Sequence, residues 1–470
     1  MSYVKKLLFI AFLYGGLSIG AMDEWQRYAF RGNMLSDQVA DVSLALDKGD
    51  YTYFPCELVF VVEADGMKTG IIIDRTSSGD YKIQFNNSDE TRVVDKENIR
   101  KLSLLGHILY QPNVSCKVLR STIDYYLQML PPGTCPFVQS CILSPEKKIV
   151  VVGDLHGCFD SLACYFKEWY EKGIITKDFV LNPEYRIVFT GDYIDRGQNC
   201  IEVLYALMTL KTTNPCSVFL IQGNHEQKSM IESGDFYDEW LFEFGEEEFE
   251  EETWSRLLHT FYSMPHAVVL GHKIQSLYDC ILFSHGGIED IPNFLGYIIE
   301  RHVALKISEA IMNHTLEGLK EYNGFSWLDF YAQGPTNPAL ICKSCRGESL
   351  FALSWQYLFD YLQKKQSSVD PSKPYSYILR ALCRGHQHME GGITQLLQRE
   401  DTHGQNWRPL TDKQEYPIQR GDVFTFFSAS DILPSAYSKH YAYGIISMKN
   451  DQWVLTPYIK EWFWTRALPH

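Results

Sequence analysis

The stretch KKIVVVGDLHG at residues 147–157 joins an apolar, β-branched run to a turn that carries an aspartate and a histidine. Three other short motifs also follow apolar runs: GDYIDRG (191–197), GNHE (223–226) and SHGG (284–287). In an open α/β sheet, loops at the carboxyl ends of the strands converge on one crevice, so motifs far apart in sequence can meet in space. Their carboxylate, amide and imidazole groups are ligands for divalent metal ions. The sequence therefore predicts an α/β fold built around a two-metal centre.

From about residue 148 onward, apolar runs of strand length alternate with stretches of helical periodicity. Each of four predicted strands ends at one of the motifs, and these strands are KKIVVV, YRIVF, CSVFLI and CILFS. Helices are predicted between them at 161–172 and 200–210. The segment 235–259 also has helical spacing, and its acidic run EEEFEEE fits a solvated helix face. This alternation predicts one α/β domain over residues 148–470.

The composition fits a globular protein and excludes one class of partner. The chain has 470 residues, of which 45% are hydrophobic and 14% aromatic, enough for a packed core. A formal net charge of -15 and a pI near 5.4 argue against a nucleic-acid backbone as the main partner, since no basic stripe balances the acidic residues. Attraction for phosphate must therefore come from local metal ions and arginines.

The first residues predict an export signal. Two lysines, at positions 5 and 6, precede an apolar run that extends to about Ala21, which is short for a membrane span of about 20 residues. We expect residues 1–21 to be a signal peptide, so that the mature protein is periplasmic or secreted and keeps no stable membrane span. The alternative is an uncleaved N-terminal helix that is buried or associated with a membrane.

Between residues 22 and 147 the character of the chain changes twice. Residues 22–50 are helix-prone, whereas 51–104 alternate β-branched and polar residues and are cut by the turn signals DG, SGD and NNSD. Five short strands of this spacing suit a small β-barrel, and their order resembles Tudor-like barrels. This resemblance implies an interaction or packing module that could recruit a protein partner. Residues 105–147 are predicted to form a helical connection to the following domain.

Asp154 and His156 stand two residues apart after a predicted strand, a spacing that lets both side chains reach one cation from a tight turn. Asp192 in GDYIDRG could bridge two cations about 3.5–4 Å apart. Arg196 in the same motif has a planar fork of donors that suits a bidentate grip on phosphate. Each of these residues could instead have a structural role, as a helix-capping aspartate or as part of a loop ion pair.

GNHE adds Asn224 as an oxygen ligand and His225 as a proton donor for a leaving oxygen. Asp195 is the carboxylate predicted to orient the His225 imidazole. His285, with His386 in RGHQH, completes a ligand set for a second metal ion, and imidazole nitrogens suit zinc, iron or manganese. A histidine satisfied within the core is the alternative for any one of these imidazoles.

In this order, the motifs resemble the phosphoprotein phosphatases of the calcineurin-like metallophosphoesterase superfamily. The resemblance runs over about 148–459 and extends to the stretches FYDE (236–239), SWLDF (326–330) and CRGESLFALS (345–354). It implies a metallophosphoesterase β-sandwich flanked by helices. It also implies two divalent or trivalent metal ions, manganese, iron or zinc, and a phosphoprotein or phosphopeptide substrate.

The resemblance implies a role for each matching position of this sequence. The implied ligands of the first metal ion are Asp154 and His156, and Asp192 is the implied bridge between the two ions. The implied ligands of the second metal ion are Asn224, His285 and His386. The implied catalytic residues, two phosphate-binding arginines and an acid with its orienting carboxylate, are Arg196, Arg346, His225 and Asp195.

Two positions depart from the family's usual pattern. The family commonly has SAPNY where this chain has SASDI at 428–432, so the active-site tyrosine is absent. GHQH at 385–388 resembles the GHxH ending of the wider superfamily, in which the second histidine helps to bind the first metal ion. His388 could therefore be a further ligand or a group that supports one.

The sequence predicts hydrolysis of a phosphomonoester by in-line attack of a metal-bridging hydroxide, with His225 protonating the departing oxygen. The expected activity is that of a protein phosphatase acting on phosphoserine, phosphothreonine or phosphotyrosine, because GNHE rather than GNHD and the FYDE stretch favour a protein substrate. A nucleotide or diadenosine polyphosphate hydrolase on the same core is the first alternative. The second is a binding protein without catalytic activity, recruited through the N-terminal barrel.

Overall fold

The computed structural model of the chain describes residues 46–47, 58–63, 66–76, 80–85, 91–95, 99–102, 104–110, 114, 116–129, 138–245, 252–288, 324–331, 341–343, 351–363, 366–367, 376–388, 391–398, 406–429 and 440–461. The predicted signal peptide at 1–21, nearly all of the helix-prone segment 22–50, and Arg346 lie outside the described residues. The chain divides into two compact units, Met1–Pro112 and Asn113–His470.

The N-terminal unit contains an antiparallel sheet followed by the short helix α1 (Leu104–Tyr110). Its strands are β1 (Leu46–Asp47), β2 (Leu58–Glu63), β3 (Gly66–Arg75), β4 (Tyr81–Phe85), β5 (Thr91–Val94) and β6 (Ile99–Leu102). They lie in the order β1-β6-β2-β3-β4-β5, and each neighbouring pair is antiparallel. Five of these strands, β2 to β6, lie within 51–104, where the sequence predicts five, and β1 lies in the preceding segment, which the sequence predicts to be helical. The order ends at β1 and β5, so closure of this sheet into a barrel stays a prediction.

The second unit is built on two large sheets and one small sheet. Its strands are β7 (Val138–Leu143), β8 (Lys148–Val152), β9 (Tyr185–Phe189), β10 (Val218–Leu220), β11 (Ala267–Ile274), β12 (Leu277–Ser284), β13 (Asp329–Tyr331), β14 (Ile341–Lys343), β15 (Phe351–Ser354), β16 (Gln366–Ser367), β17 (Ser376–Arg384), β18 (Ile393–Leu396), β19 (Trp407–Pro409), β20 (Tyr416–Pro417), β21 (Asp422–Phe426), β22 (His440–Lys449) and β23 (Gln452–Glu461).

The first large sheet has the order β10-β9-β8-β22-β23-β20. The second has the order β19-β18-β21-β17-β12-β11-β7, and β16 pairs with β17 beside this path. Both sheets mix parallel and antiparallel pairs. The small sheet has the order β13-β15-β14.

The second unit also contains helices. They are α2 (Cys116–Met129), α3 (Phe159–Glu171), α4 (Cys200–Thr213), α5 (Lys228–Ile231), α6 (Asp235–Phe244), α7 (Glu252–Ser263), α8 (Gly324–Trp327) and α9 (Trp355–Gln363). Trp169 of α3 packs against Phe189 of β9 and Tyr443 of β22, which places α3 on the first sheet. Within the described ranges, no helix is long and apolar enough to cross a membrane.

The second sheet is apolar on both faces. Val268 of β11 belongs to the buried cluster that includes Val151 of β8, and this cluster fills the space between the two large sheets. The next residue, Val269, belongs to the cluster that includes Leu358 of α9 on the opposite face. Because successive side chains of a strand point to opposite faces, this sheet is packed against the first sheet on one side and against a helix on the other. The result is a β-sandwich flanked by helices, as predicted.

The predicted elements of the second unit are confirmed at the motifs. The four predicted strands correspond to β8, β9, β10 and β12, and the helices predicted at 161–172 and 200–210 correspond to α3 and α4. The helical segment 235–259 contains α6 and the start of α7, with residues 246–251 outside the described part. Residues 105–147, predicted as a helical connection, also contain β7, which pairs with β11 in parallel.

Candidate metal centre

Five loops meet where strands of the two large sheets end. Three of these loops follow β8, β9 and β10, which are parallel neighbours in the first sheet. The other two follow β12 and β17, which are parallel neighbours in the second sheet. Parallel strands direct their carboxyl ends to the same edge, so each sheet gathers its own motifs there. The bridge between Asp154 and Phe427 joins the first loop to the chain that follows β21, a strand of the second sheet.

The backbone of these loops adopts an unusual conformation at the functional positions. Five non-glycine residues have a φ angle in the left-handed region, and they are His156 (44°), Asp192 (53°), Asp195 (66°), Arg196 (70°) and His386 (66°). Such conformations cost on the order of 1–3 kcal/mol each and persist only where the surroundings impose them. Backbone hydrogen bonds contribute here, since the N–H groups of Leu155 and His156 both donate to the carbonyl oxygen of Asp192 at 2.9 Å.

Gly385 is required by the close approach of two loops. A Cβ atom at this position would lie 2.0 Å from Asp154 Oδ1. The glycine allows the amide N–H of His386 to donate to both carboxylate oxygens of Asp154, at 3.1 and 3.0 Å. The glycine of GHQH therefore makes the contact between the last motif and the first possible.

The first cluster of possible metal ligands contains Asp154, His156 and His388. His388 Nε2 lies 3.1 Å from Asp154 Oδ2 and 3.2 Å from His156 Nε2. His156 Nδ1 donates to the carbonyl oxygen of Ile194 at 2.9 Å, which places the ring proton on Nδ1 and leaves the Nε2 lone pair for a metal ion. This cluster includes His388, the histidine whose role the sequence left open.

The second cluster contains Asp192, His285 and His386, with Asn224 between the two histidines. Asn224 Oδ1 lies 2.9 Å from both His285 Nε2 and His386 Nδ1. Asp192 Oδ2 lies 3.1 Å from His285 Nε2. His285 Nδ1 donates to the carbonyl oxygen of Thr190 at 3.0 Å, so the Nε2 lone pair of this ring also faces the cluster.

Asp192 connects the two clusters. Its Oδ2 atom lies 3.6 Å from His156 Nε2 on one side and 3.1 Å from His285 Nε2 on the other. Burial raises the pKa of Asp192, but the neighbouring imidazoles outweigh burial and hold that pKa well below its usual range. Buried carboxylate, amide and imidazole donors in this arrangement fit two cations, and their chemistry suits manganese, iron or zinc.

A histidine–aspartate pair lies beside the clusters. His225 Nδ1 lies 2.6 Å from Asp195 Oδ2, and Asp195 Oδ1 accepts the amide N–H of Phe236 at 2.9 Å. Burial lowers the pKa of His225, but the carboxylates of Asp192 and Asp195 outweigh burial and raise it. The second ring nitrogen, Nε2, lies 3.9 Å from Asp192 Oδ2. His225 is therefore held at Nδ1 and presents Nε2 to the centre.

Arg196 is half-buried and stands between two histidines of the site. Its Nη2 atom lies 3.3 Å from His225 Nε2, and its Nη1 atom lies 3.0 Å from His388 Nδ1. The backbone N–H of Arg196 donates to Asp235 Oδ2 at 3.1 Å, which fixes the start of the side chain. A guanidinium group at this place can bind two oxygens of a tetrahedral anion at once.

Glu226, the last residue of GNHE, has a structural function that the sequence analysis missed. Its buried carboxylate accepts the backbone N–H groups of Asp192 at 2.9 Å, Tyr193 at 2.7 Å and Gly223 at 2.8 Å. These bonds tie the loop after β9 to the loop after β10. A carboxylate that is predicted to be buried needs hydrogen-bond donors or a charged partner. This requirement was the feature of the sequence that could have indicated a structural role for Glu226.

The structure brings together the predicted site residues that it describes. Of the two predicted phosphate-binding arginines, Arg196 lies in the site and Arg346 lies outside the described residues. Ser428, in the stretch that departs from the family's pattern, is buried and accepts the N–H of Gly153 at 2.8 Å. Ser428 therefore supports the backbone of the first loop. The chemical roles of the site residues stay predictions.

Comparisons with known proteins agree on one family. The calcineurin-like phosphoesterase family matches residues 147–390, just over half of the 470-residue chain. A PP2A-like serine/threonine-protein phosphatase of Candida albicans is 29% identical over 194 residues, which are 37% of this chain and 42% of that protein. Serine/threonine-protein phosphatase T of Saccharomyces cerevisiae is 29% identical over 150 residues, 32% of this chain and 25% of that protein. The chain thus spans less than half the length of these two curated relatives.

A solved structure of a protein serine/threonine phosphatase from Saccharomyces cerevisiae superposes with a TM-score of 0.45 at 19% identity, over 73% of this chain and 88% of that one. The family match at 147–390 contains all five loops of the candidate metal centre. The protein is a member of the calcineurin-like phosphoesterase family, and serine/threonine-protein phosphatases are among its distant homologues.

Proposed function

We propose that this protein is a metal-dependent phosphomonoester hydrolase whose substrates are phosphorylated proteins. One observation carries the proposal: the Arg196 guanidinium and the His225–Asp195 pair stand beside Asp192, a carboxylate of the second cluster that also approaches His156 of the first. A phosphoryl group bound there would meet positive charge and a proton donor at the same place.

Two cations are part of the proposal. The residues that would hold them are Asp154, His156, Asp192, Asn224, His285 and His386, with His388 as a further ligand in the first cluster. When bound, such cations lower the pKa of water towards about 7 and neutralise charge on a phosphoryl group. The protein's own contribution is orientation, because backbone carbonyls already hold the rings of His156 and His285 with Nε2 towards the clusters.

Arg196 would bind the non-bridging oxygens of the phosphoryl group. Its guanidinium reaches from His388, in the first cluster, to His225, the proposed acid. In phosphoryl transfer most of the catalytic benefit comes from positioning and from charge stabilisation on these oxygens. A fixed, half-buried guanidinium supplies both, since it needs little reorganisation when the substrate binds.

His225 would protonate the departing oxygen. Asp195 accepts the Nδ1 proton, so a proton that is transferred must leave from Nε2, the nitrogen that faces Asp192 and Arg196. The raised pKa of His225 favours the protonated ring that a general acid requires. Asp195 is itself held by the N–H of Phe236, which keeps the pair in place.

The FYDE stretch supports a protein substrate, because it resembles protein phosphatases and the curated relatives are named serine/threonine-protein phosphatases. In this chain the stretch lies in the first turn of α6 and is hydrogen-bonded to the loop after β9 and to the start of α4. Its first residue, Phe236, donates to Asp195, and its last, Glu239, accepts the N–H groups of Cys200 and Ile201 at the start of α4. The stretch therefore holds Asp195 within the loop after β9 and the start of the helix that follows this loop.

The proposed activity can be tested with the full chain on p-nitrophenyl phosphate and on matched phosphoserine, phosphothreonine and phosphotyrosine peptides. ATP and diadenosine tetraphosphate serve as competing substrates, and each reaction is measured after chelation and after manganese, iron or zinc is added back in turn. We expect metal-dependent turnover of at least one peptide class, faster than that of either nucleotide. Turnover of nucleotides alone would replace phosphoproteins as the substrate class, and no turnover with any of the three metals would overturn the proposed activity.

A further inference from the structure

The loop that carries His386 is bonded to a short strand by two side chains. Gln387 accepts the backbone N–H of Phe330 through Oε1 at 2.9 Å and donates to the carbonyl oxygen of Phe330 through Nε2 at 3.2 Å. The side chain of Gln387 thus pairs with β13 as a neighbouring strand would. This contact ties the residue after His386 to the second residue of β13.

Arg384 binds the residue that precedes the same strand. It is fully buried, and its Nη2 donates to the carbonyl oxygen of Leu328 at 2.8 Å. Its Nη1 donates to Gln387 Oε1, and the guanidinium carbon lies 5.3 Å from the centre of the Phe330 ring. Burial of a guanidinium is costly, so its bonds to a backbone carbonyl and an amide oxygen mark a position that the fold must specify.

Asp329 lies between the two residues that Arg384 and Gln387 hold. Its side chain is buried, and its Oδ1 atom lies 3.7 Å from His386 Nε2, within ion-pair distance. This aspartate lies within the stretch SWLDF, and no role for it could be predicted from the sequence. Because its neighbours Leu328 and Phe330 are both bonded to the His386 loop, the carboxylate has little freedom to move away from the imidazole.

His386 differs from the other histidines of the site in the nitrogen that it presents. His156 and His285 donate Nδ1–H to backbone carbonyls and direct Nε2 to the clusters. His386 instead directs Nδ1 to Asn224, at 2.9 Å from Oδ1, so its Nε2 atom must carry the ring proton when Nδ1 binds a metal ion. The carboxylate of Asp329, with Oδ1 3.7 Å from Nε2, is an acceptor that lies on the side of that proton.

We propose that Asp329 is a positioning residue that sets the tautomer and ring orientation of His386, and that Arg384 and Gln387 hold Asp329 in place for this task. The inference rests on the proposed two-cation site, because the tautomer matters only if Nδ1 binds a metal ion. A carboxylate behind a ligating histidine fixes the ring and increases the basicity of the bound nitrogen, and its loss typically costs about 10–100-fold in metal affinity.

The experiment compares the wild-type full chain with Asp329→Asn in titrations with manganese, followed by calorimetry, and in the visible spectrum after loading with cobalt. We expect Asp329→Asn to bind one ion with wild-type affinity and the other about 10–100-fold more weakly, with a changed cobalt spectrum. Asp279→Asn is the matched control. Asp279 is equally buried, at 1% exposure, and is paired with Arg380, so its loss should lower thermal stability and leave both ion affinities unchanged.

The outcomes separate this inference from the proposed function. Two ions bound by Asp329→Asn with wild-type affinities and an unchanged cobalt spectrum would overturn the role of Asp329 and leave the function standing. A wild-type chain that binds no metal ion would overturn both. If Asp329→Asn does not fold, Gln387→Ala tests the same point, because it keeps the carboxylate but releases Phe330. That variant should lower the affinity for one ion by less than Asp329→Asn does. Wild-type affinities for both ions in Gln387→Ala would contradict the proposal.

Discussion

The two large sheets contribute to the candidate metal centre in different ways. The first sheet supplies its side chains from three consecutive parallel strands, β8, β9 and β10, within residues 154–226. The second sheet supplies histidines from the ends of β12 and β17, which are neighbours in space but far apart in sequence. One half of the centre is therefore assembled from local units, and the other half exists only after a long segment of chain has folded.

The two halves are held by different numbers of side chains. In the first half, one buried carboxylate, Glu226, ties the loops together through three backbone N–H groups. In the second half, the His386 loop is bonded to β13 through the side chains of Arg384 and Gln387. In each half the bonds join a side chain to backbone groups of another segment, but the first half depends on one such side chain and the second half on two. The second half should therefore be the more sensitive to substitutions away from the ligands.

The largest effect is expected for Asp192→Asn, because Asp192 lies between the two ligand clusters, with Oδ2 3.6 Å from His156 Nε2 and 3.1 Å from His285 Nε2. Replacing its ionised carboxylate with an amide should weaken both ions and nearly abolish turnover, by more than the roughly 10–100-fold that follows loss of a group behind a ligand. Metal content after dialysis and kcat/KM on a phosphopeptide measure this. The control is Asp178→Asn, which changes an exposed aspartate. If Asp192→Asn keeps both ions after dialysis, neither ion depends on this carboxylate.

The next effect concerns chemistry rather than the metal ions. His225→Ala should lower kcat on a phosphoserine peptide by about 10²–10⁴-fold, since it removes the general acid. The loss should be much smaller on p-nitrophenyl phosphate, whose leaving group needs no proton, and both ions should stay bound. His259→Ala is the control, because His259 is exposed. Equal losses on the two substrates would contradict the role of His225 as the acid.

A third comparison separates the two ligand clusters. His388→Ala should weaken one ion by about 10–100-fold, and His285→Ala should weaken the other by more, because the His285 side chain is fully buried and that of His388 is 13% exposed. Manganese titrations followed by calorimetry resolve the two binding steps. If both variants weaken the same step, the two clusters do not correspond to two separate ions.

The smallest effect is expected for Glu226→Gln, which should lower the stability of the fold. Glu226→Gln keeps one acceptor oxygen but places an NH₂ group against backbone donors, so it should destabilise the fold by about 1–3 kcal/mol. Thermal denaturation in the presence of a chelator measures this without a contribution from bound ions. Glu232→Gln, at an exposed position on the surface, should change stability by less than about 0.5 kcal/mol. A Glu226→Gln chain as stable as wild type would show that the three bonds are not needed.

Much of the first half could be predicted from the sequence. The motifs with Asp154, Asp192 and Asn224 follow short apolar runs, and the structure places each at the end of a strand as expected. A strand and the turn that follows it are determined by neighbouring residues, so local patterns are sufficient for this step. The roles of Glu226 and Asp329 were missed, because no spacing rule connects a carboxylate to the backbone or the imidazole that it supports.

The second half was predicted less completely. His285 and His386 were proposed as ligands from their motifs, but the sequence left His388 between a ligand and a supporting group. The structure places His388 Nε2 3.1 Å from Asp154 Oδ2, in the first cluster. His386, two residues earlier in the chain, belongs to the second cluster. Two histidines of one loop thus serve different clusters. The positive φ of His386, 66°, turns the chain between them, and such a local conformation depends on surrounding contacts.

The sequence by itself determined the chemistry that this protein can present: strands that end in glycine-rich turns, with carboxylate, amide, imidazole and guanidinium groups at fixed short spacings. Those features depend on residue type and on neighbours along the chain. Only the tertiary structure decided that His388 joins the first cluster, that Glu226 binds two loops, and that Asp329 lies near His386. The physical reason is that distances between loops of different sheets are set by how the sheets pack on a shared apolar core, and no local spacing contains that information.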